Sequence, residues 1–188
     1  MERPRDLRIR VDEETGLRLY REEDAEEFLA LIDMNRKHLG TFMEWVDGVN
    51  HIEDELAFLT ARVEEYDTGR GMSFAVVQGG RIVGATGTVM MDRVNDVVEI
   101  GYFVAGEHEG RGLMTQAVGA FVDHLFREEG MNRVCARIMT ENARSRALVE
   151  GLGLTLEGVH REEYKLRGNY VDMTVYSILR SEWETRGR

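Results

Sequence analysis

The chain has 188 residues, enough for one domain with a substantial core and cramped for two. With 43% apolar and 31% charged residues and a formal net charge of −11, a soluble globular protein is expected. Bulk nucleic-acid binding, which depends on clustered Lys and Arg, is not. No apolar run approaches the ~20 residues of a membrane span, and the charged start Met1 to Asp6 predicts no secretion signal. Cys135 is the only cysteine, which excludes an internal disulfide and suits a reducing cytoplasm.

Along the chain, Leu7 to Val11 alternates apolar and charged residues, and Leu17 to Tyr20 resumes the pattern after the Glu14-Thr15-Gly16 turn. Asp24 is placed to cap a helix carrying Phe28, Leu31, Ile32 and Asn35. A second helix is predicted from Ile52 to Asp67, with Ile52, Leu56, Leu59 and Val63 on one stripe; the apolar, aromatic loop Leu39 to Val46 lies between the two. Ser73 to Gln78 and Arg81 to Met90 flank Gly79-Gly80, a hairpin signal, and a turn at Asp92 to Asp96 leads into the apolar strand Val97 to Val104. The next helix, running to about Glu129, buries Val118, Phe121, Val122 and Leu125. Val134 to Met139 reads as a strand, and Ala143 to Glu150 as a short helix stopped at Gly151. Thr155 to Lys165 and Tyr170 to Arg180 form a hairpin around Arg167-Gly168-Asn169. Meandering hairpins followed by two late β–α units predict an α+β fold with a mixed sheet.

The stretch from Glu107 through Glu109, Gly110, Arg111, Gly112, Leu113 and Met114 to Thr115 joins a strand to a helix. Glycines let the backbone approach a ligand, free N–H groups point outward, and the helix dipole favours an anion. Alone, two glycines are weak evidence. No Gly-Lys-Ser/Thr follows, so this is no P-loop, and the third glycine of a dinucleotide fingerprint is missing. A second feature follows at the end of the next strand, where Asn142 can cap a helix and Ser145 lies one turn later.

The order of these segments resembles the GNAT superfamily of acetyl-CoA-dependent N-acetyltransferases, most of all the branch acting on ribosomal-protein N-termini (RimJ/RimL-like). The resemblance rests on Glu99-Ile100-Gly101-Tyr102-Phe103-Val104, Glu109 to Thr115, Asn142-Ala143-Arg144-Ser145, Gly151 to Gly158, and Gly168 to Asp172 with Tyr176. It runs from about Leu17 to Leu179. It implies one acetyltransferase domain over 1–188, built on a mostly antiparallel sheet of about seven strands, splayed at its centre and flanked by about four helices. It further implies that the amides of Glu109 to Met114 hold the cofactor pyrophosphate, with Arg111 and Thr115 in the same loop, and that Phe103, Val104, Asn142 and Ser145 line the pantetheine. The family pattern has Gln or Arg where this chain has Glu107, so that carboxylate is expected to point to solvent.

Direct transfer to a primary amine needs a base, because an N-terminal amine with a pKa near ~8 is mostly protonated at pH 7. Glu99 is the candidate base, its rival reading being a structural carboxylate paired with an arginine. Many members place a tyrosine seven residues after the asparagine; here that position is Val149. Ser145 resembles the serine of the RimL-like branch and is the candidate donor to the leaving thiolate, with the Val104 amide as an oxyanion donor. The five histidines show no ligand spacing, so no metal is expected, and Cys135 reads as core. Trp45 with Phe42 and Met43 either walls the acceptor pocket or packs a satellite core, and Tyr164, Tyr170 and Asp172 lie where such enzymes shape the acceptor site or a dimer contact. The acceptor is expected to be a ribosomal-protein N-terminus or a small cationic amine, both suited to the acidic charge. The alternative is an acyl-CoA sensor without catalysis, for which the substituted Val149 and Glu107 speak.

Overall fold

The structure, a computed structural model, describes residues 3–186; Met1 and Glu2 of the charged N-terminal stretch, and Gly187 and Arg188, lie outside it. Strands β1 (Arg8–Arg10) and β2 (Thr15–Leu19) precede helices α1 (Ala25–Leu39) and α2 (Ile52–Asp67). The meander β3 (Ser73–Gln78), β4 (Arg81–Asp92) and β5 (Val97–Val104) follows, then α3 (Leu113–Arg127), β6 (Arg133–Met139) and α4 (Ala143–Gly151). The hairpin β7 (Thr155–Leu166) and β8 (Asn169–Leu179) runs into the short α5 (Arg180–Thr185). All eight strands form one sheet in the order β1-β2-β3-β4-β5-β6-β8-β7, the α+β architecture expected. The added helix, α5, lacked a periodic signal because it spans only six residues.

Two helical layers cover the sheet. On one face α3 buries Val118, Phe121, Val122 and Leu125 completely, against Phe74, Val98, Ile100 and Val134. Each such side chain contributes about 1.5–3 kcal/mol of transfer free energy. On the other face Phe28 and Leu31 of α1 and Leu59 of α2 pack over Ala75, Ile82 and Ala85.

The α2 stripe differs from the one predicted. Ile52 and Leu56 are 37% and 40% exposed, and the buried face carries Glu55, Leu59 and Tyr66. Those positions share one helical face at spacings of four and seven, and a carboxylate at its head disguised it. Asp24 also behaves differently. It stands at the start of α1, but its carboxylate accepts from both Arg18 guanidinium nitrogens (2.8 and 2.9 Å) and the Arg21 amide (2.9 Å), leaving the first turn uncapped.

The feature that positions the site is the single parallel pair. β5 and β6 are in register only at Val97–Arg133, Val98–Val134 and Glu99–Cys135. Beyond them β5 stays bonded to β4 as far as Val104, and β6 to β8 as far as Met139. Both strands therefore continue while parting from each other, and a wedge-shaped gap opens through the sheet.

Burial pushes the Glu55 carboxyl up to about 7. The folded state then keeps a proton that the unfolded chain releases near 4.5, so stability falls as pH rises between those values and stays reduced above them. Glu55→Gln should melt like the wild type at pH 5 and be more stable at pH 8 by roughly 1–2 kcal/mol, a few degrees in Tm. Equal melting temperatures at pH 8 would contradict the burial of this carboxylate.

Candidate active site

After β5 the chain makes a short 3-10 turn, Gly106–His108, and enters α3 with Gly112 as its N-cap. Gly110 and Gly112 adopt φ of +73° and +74°, a conformation that costs other residues roughly 1–2 kcal/mol. The first bond into α3 runs from the Gln116 amide to the Gly112 carbonyl (3.0 Å), and the amides of Gly110 to Thr115 have no protein acceptor among the described residues. Six free N–H groups at the positive end of a 15-residue helix form a preformed cradle for a phosphorylated ligand. The residues present thus fit the pyrophosphate of coenzyme A.

Glu109 plays a different part from its neighbours. Its amide donates to the Gly106 carbonyl (3.2 Å), and its carboxylate is held by Arg144 of α4 and by His38 of α1 (3.2 Å), so it braces the loop. Asn35 Oδ1 accepts from the Gly106 amide (2.9 Å) and the Gln78 side chain meets His108 Nδ1 (3.1 Å), which ties the same loop to α1 and β3. The Leu113 and Met114 side chains are buried and leave only amides for a ligand, while Arg111 is exposed beside them. Glu107 points to solvent, 76% exposed, as its charge requires.

The gap lies next to this loop. The Ala105 amide donates to the Val83 carbonyl (2.9 Å) on the β4 side, so the two-residue period of the strand turns the Val104 amide the other way, into the gap. Asn142 Oδ1 caps α4 by accepting from the Ser145 amide (3.1 Å), and its Nδ2 has no protein partner among the described residues. Tyr102 spans from β5 to α4. Its Oη lies 2.8 Å from Ser145 Oγ and 3.0 Å from the Ser145 carbonyl oxygen. Burial pushes the phenol up to about 12, against the lowering effect of the Ser145 hydrogen bond, so it remains a protonated donor. Val149 is fully buried and offers no hydroxyl. Tyr102 of β5 is the phenol that reaches α4 here, and the signal was present in Gly101-Tyr102-Phe103, where period-two alternation sets Tyr102 on the α4 side of the sheet.

Glu99 stands at the vertex of the gap, 7% exposed, with its carboxylate 2.6 Å from Arg137 Nη2; Arg137 Nη1 reaches Glu163 at 3.1 Å. The arginine-paired arrangement is therefore present, and a base role for Glu99 would have to operate within it. Phe103 turns its side chain to the opposite face from Tyr102 and packs its ring against Trp45 (5.7 Å), while its backbone, in step with Ala105, faces β4 and not the gap, so the expected backbone contact with the cofactor falls to Val104. Cys135 donates to the Val98 carbonyl (3.3 Å) and is pushed up by burial, the state of an inert thiol.

The gap residues Tyr102, Asn142 and Ser145 line one side of a cavity of about 400 Å³ whose other walls are Phe42, Met43 and Trp45 of the α1–α2 loop with Tyr20 and Phe58. The aromatic loop thus walls the cavity. The tip of the β7–β8 hairpin holds that loop in place. The Arg167 guanidinium grips both carboxylate oxygens of Asp47 (2.8 and 3.0 Å) and the Gly40 carbonyl, and its amide donates to Glu44 (3.0 Å). Tyr164, Tyr170 and Asp172 do not line the cavity; Asp172 accepts from the Glu162 amide (2.8 Å) and shapes the hairpin instead.

Gly112→Val should weaken coenzyme A binding at least tenfold by isothermal titration, since a side chain at this positive φ displaces the cradle; unchanged affinity would place the pyrophosphate elsewhere. Arg167→Ala should raise the KM for the amine several-fold while coenzyme A affinity holds. An unchanged acceptor KM would mean that the hairpin tip does not shape the cavity.

The model of the acetyltransferase (GNAT) domain family matches residues 15–155. The chain is 30% identical over 176 residues to the "Putative ribosomal N-acetyltransferase YdaF" of Bacillus subtilis (strain 168), covering 93% of this chain and 96% of that protein. It is 24% identical to the ribosomal-protein-serine acetyltransferase of Escherichia coli (strain K12), covering 90% and 94%. Among solved structures, RimL, a ribosomal L7/L12 α-N-protein acetyltransferase in complex with coenzyme A, superposes with a TM-score of 0.90 at 21% identity, over 92% of this chain and 98% of that one. The splayed sheet, the amide cradle and these matches agree: the chain belongs to the GNAT family of acetyl-CoA-dependent acetyltransferases.

Proposed function

We propose that this enzyme acetylates the α-amine of a protein N-terminus, with a ribosomal protein as the acceptor and the cytoplasm as its setting. The relatives named for ribosomal acetylation support that acceptor. The observation that carries the chemistry is the Tyr102–Ser145 hydrogen bond of 2.8 Å, which spans the gap beside the Val104 amide.

Acetyl-CoA supplies a thioester whose carbonyl carbon is open to attack by an amine. The amides of Gly110 to Thr115 hold the pyrophosphate, and Asn142 Nδ2 and the Val104 backbone hold the pantetheine between β5 and β6. The Val104 amide donates to the carbonyl oxygen as negative charge gathers there, in a site where a fixed dipole needs no reorganisation. Glu99, anchored by Arg137, takes the proton of the attacking amine through an intervening water. Ser145 Oγ donates to the departing sulfur. Tyr102 Oη can turn from the Ser145 carbonyl to donate to Ser145 Oγ, which strengthens the hydrogen bond by which Ser145 stabilises the departing thiolate.

Thiol release with a panel of ribosomal N-terminal peptides, polyamines and aminoglycosides tests the acceptor; turnover confined to the small cations would contradict the reading. Ser145→Ala should lower kcat by about 10²-fold or more, with coenzyme A affinity within twofold of wild type. Tyr102→Phe should cost about tenfold in kcat, and little further in the Ser145→Ala background, because the two hydroxyls act as a unit. Full activity in both single variants would remove this pair from the mechanism.

A further inference from the structure

The charge of the acceptor cavity is opposite to that of the molecule. The chain carries a net −11, yet the charged residues lining the cavity are Arg62 and Arg137, with no Asp or Glu among them. Arg137 is neutralised from behind, one nitrogen to Glu99 (2.6 Å) and another to Glu163 (3.1 Å). Arg62 is not. Its Nη2 meets Glu65 at 2.6 Å, its Nε is buried without a partner, and its Nη1 makes no hydrogen bond among the described residues. The Phe58 ring lies 5.4 Å from the guanidinium carbon and fixes the plane of the group without consuming a donor. The Nε is closed to solvent, so a ligand would meet Nη1.

Arg62 also sits at a seam. A second cavity of about 300 Å³ shares Tyr20, Arg62 and Ser73 with the first, and Arg5 and Arg21 line its far side. Its acids Asp67 and Glu22 are engaged, Asp67 by Arg5 (3.1 Å) and Glu22 by the Thr60 hydroxyl (3.1 Å), while Glu23 also lines it. Arg62 is thus common to the linings of both cavities.

A polyamine or aminoglycoside entering the first cavity would bring several cations to a lining that holds two arginines and no carboxylate. An acceptor with a carboxylate close behind its amine would meet the complementary charge. The same lining favours the neutral form of the reactive amine, because neighbouring cations disfavour its protonation. We propose that the acceptor is a peptide N-terminus bearing an Asp or Glu within its first few residues, and that Arg62 receives this carboxylate. The inference rests on the reading of the site as an N-terminal amine acetyltransferase and narrows its substrate class.

The test uses one peptide sequence with Asp, Ala or Lys at the second or third position, assayed by thiol release with the wild type and with Arg62→Lys, Arg62→Gln and Arg62→Glu. The wild type should favour the Asp peptide over the Lys peptide at least tenfold in kcat/KM, mainly through KM. Arg62→Lys should keep part of that preference, Arg62→Gln should collapse it toward unity, and Arg62→Glu should reverse it. A wild type that uses the Lys peptide as well as the Asp peptide would overturn the inference on its own, whatever the variants do. So would a preference for Asp that survives Arg62→Gln. Transfer to none of the peptides, at any charge, would overturn the N-terminal amine reading itself and this inference with it; transfer indifferent to charge would leave that reading standing and remove only the role of Arg62.

Discussion

Everything at this site depends on β5 and β6 being bonded for three residue pairs and then parting. A continuous parallel pair would consume the Val104 amide in a ladder and close the sheet. Because β4 holds β5 and β8 holds β6 past the point of divergence, the strands part without fraying, and the exposed edge becomes a row of oriented donors. An open edge inside a sheet is ordinarily a liability. Here it is a binding surface, bounded at one end by the α3 amides and crossed by Tyr102.

The surroundings of the gap are held by charged struts. Glu109 links the cradle to α1 and α4 through His38 and Arg144. Glu99 and Glu163 flank Arg137 at the vertex, and Arg167 fastens the hairpin tip to the α1–α2 loop. Each exposed pair contributes little stability alone. Their value is geometric, since they join segments far apart in sequence around one cavity. A chain with 22 arginines and two lysines favours such struts, because a guanidinium can meet two acceptors at fixed angles.

Much of this is legible in the sequence. The strand limits of β5, the hairpin at Gly79-Gly80 and the span of α2 followed from periodicity and turn residues, which act locally. The cradle was legible because positive-φ glycines before an apolar helix leave a signature at short range. What escaped was decided by packing across the fold. The buried face of α2 could not be read past Glu55, whose environment is set by α1 and the sheet. The contact of Tyr102 with Ser145 depends on α4 lying beside β5, some 43 residues away in sequence. The Glu99–Arg137 pair was foreseen only as a rival to catalysis, since the residue type fits both and the partner arginine could not be chosen from sequence.

A crystal structure with coenzyme A would test the central claim most directly. The account predicts pyrophosphate on the amides of Gly110 to Thr115, pantetheine between β5 and β6, and the sulfur in contact with Ser145 Oγ. Coenzyme A bound with its sulfur outside the gap, or with β5 and β6 closed upon each other, would contradict it.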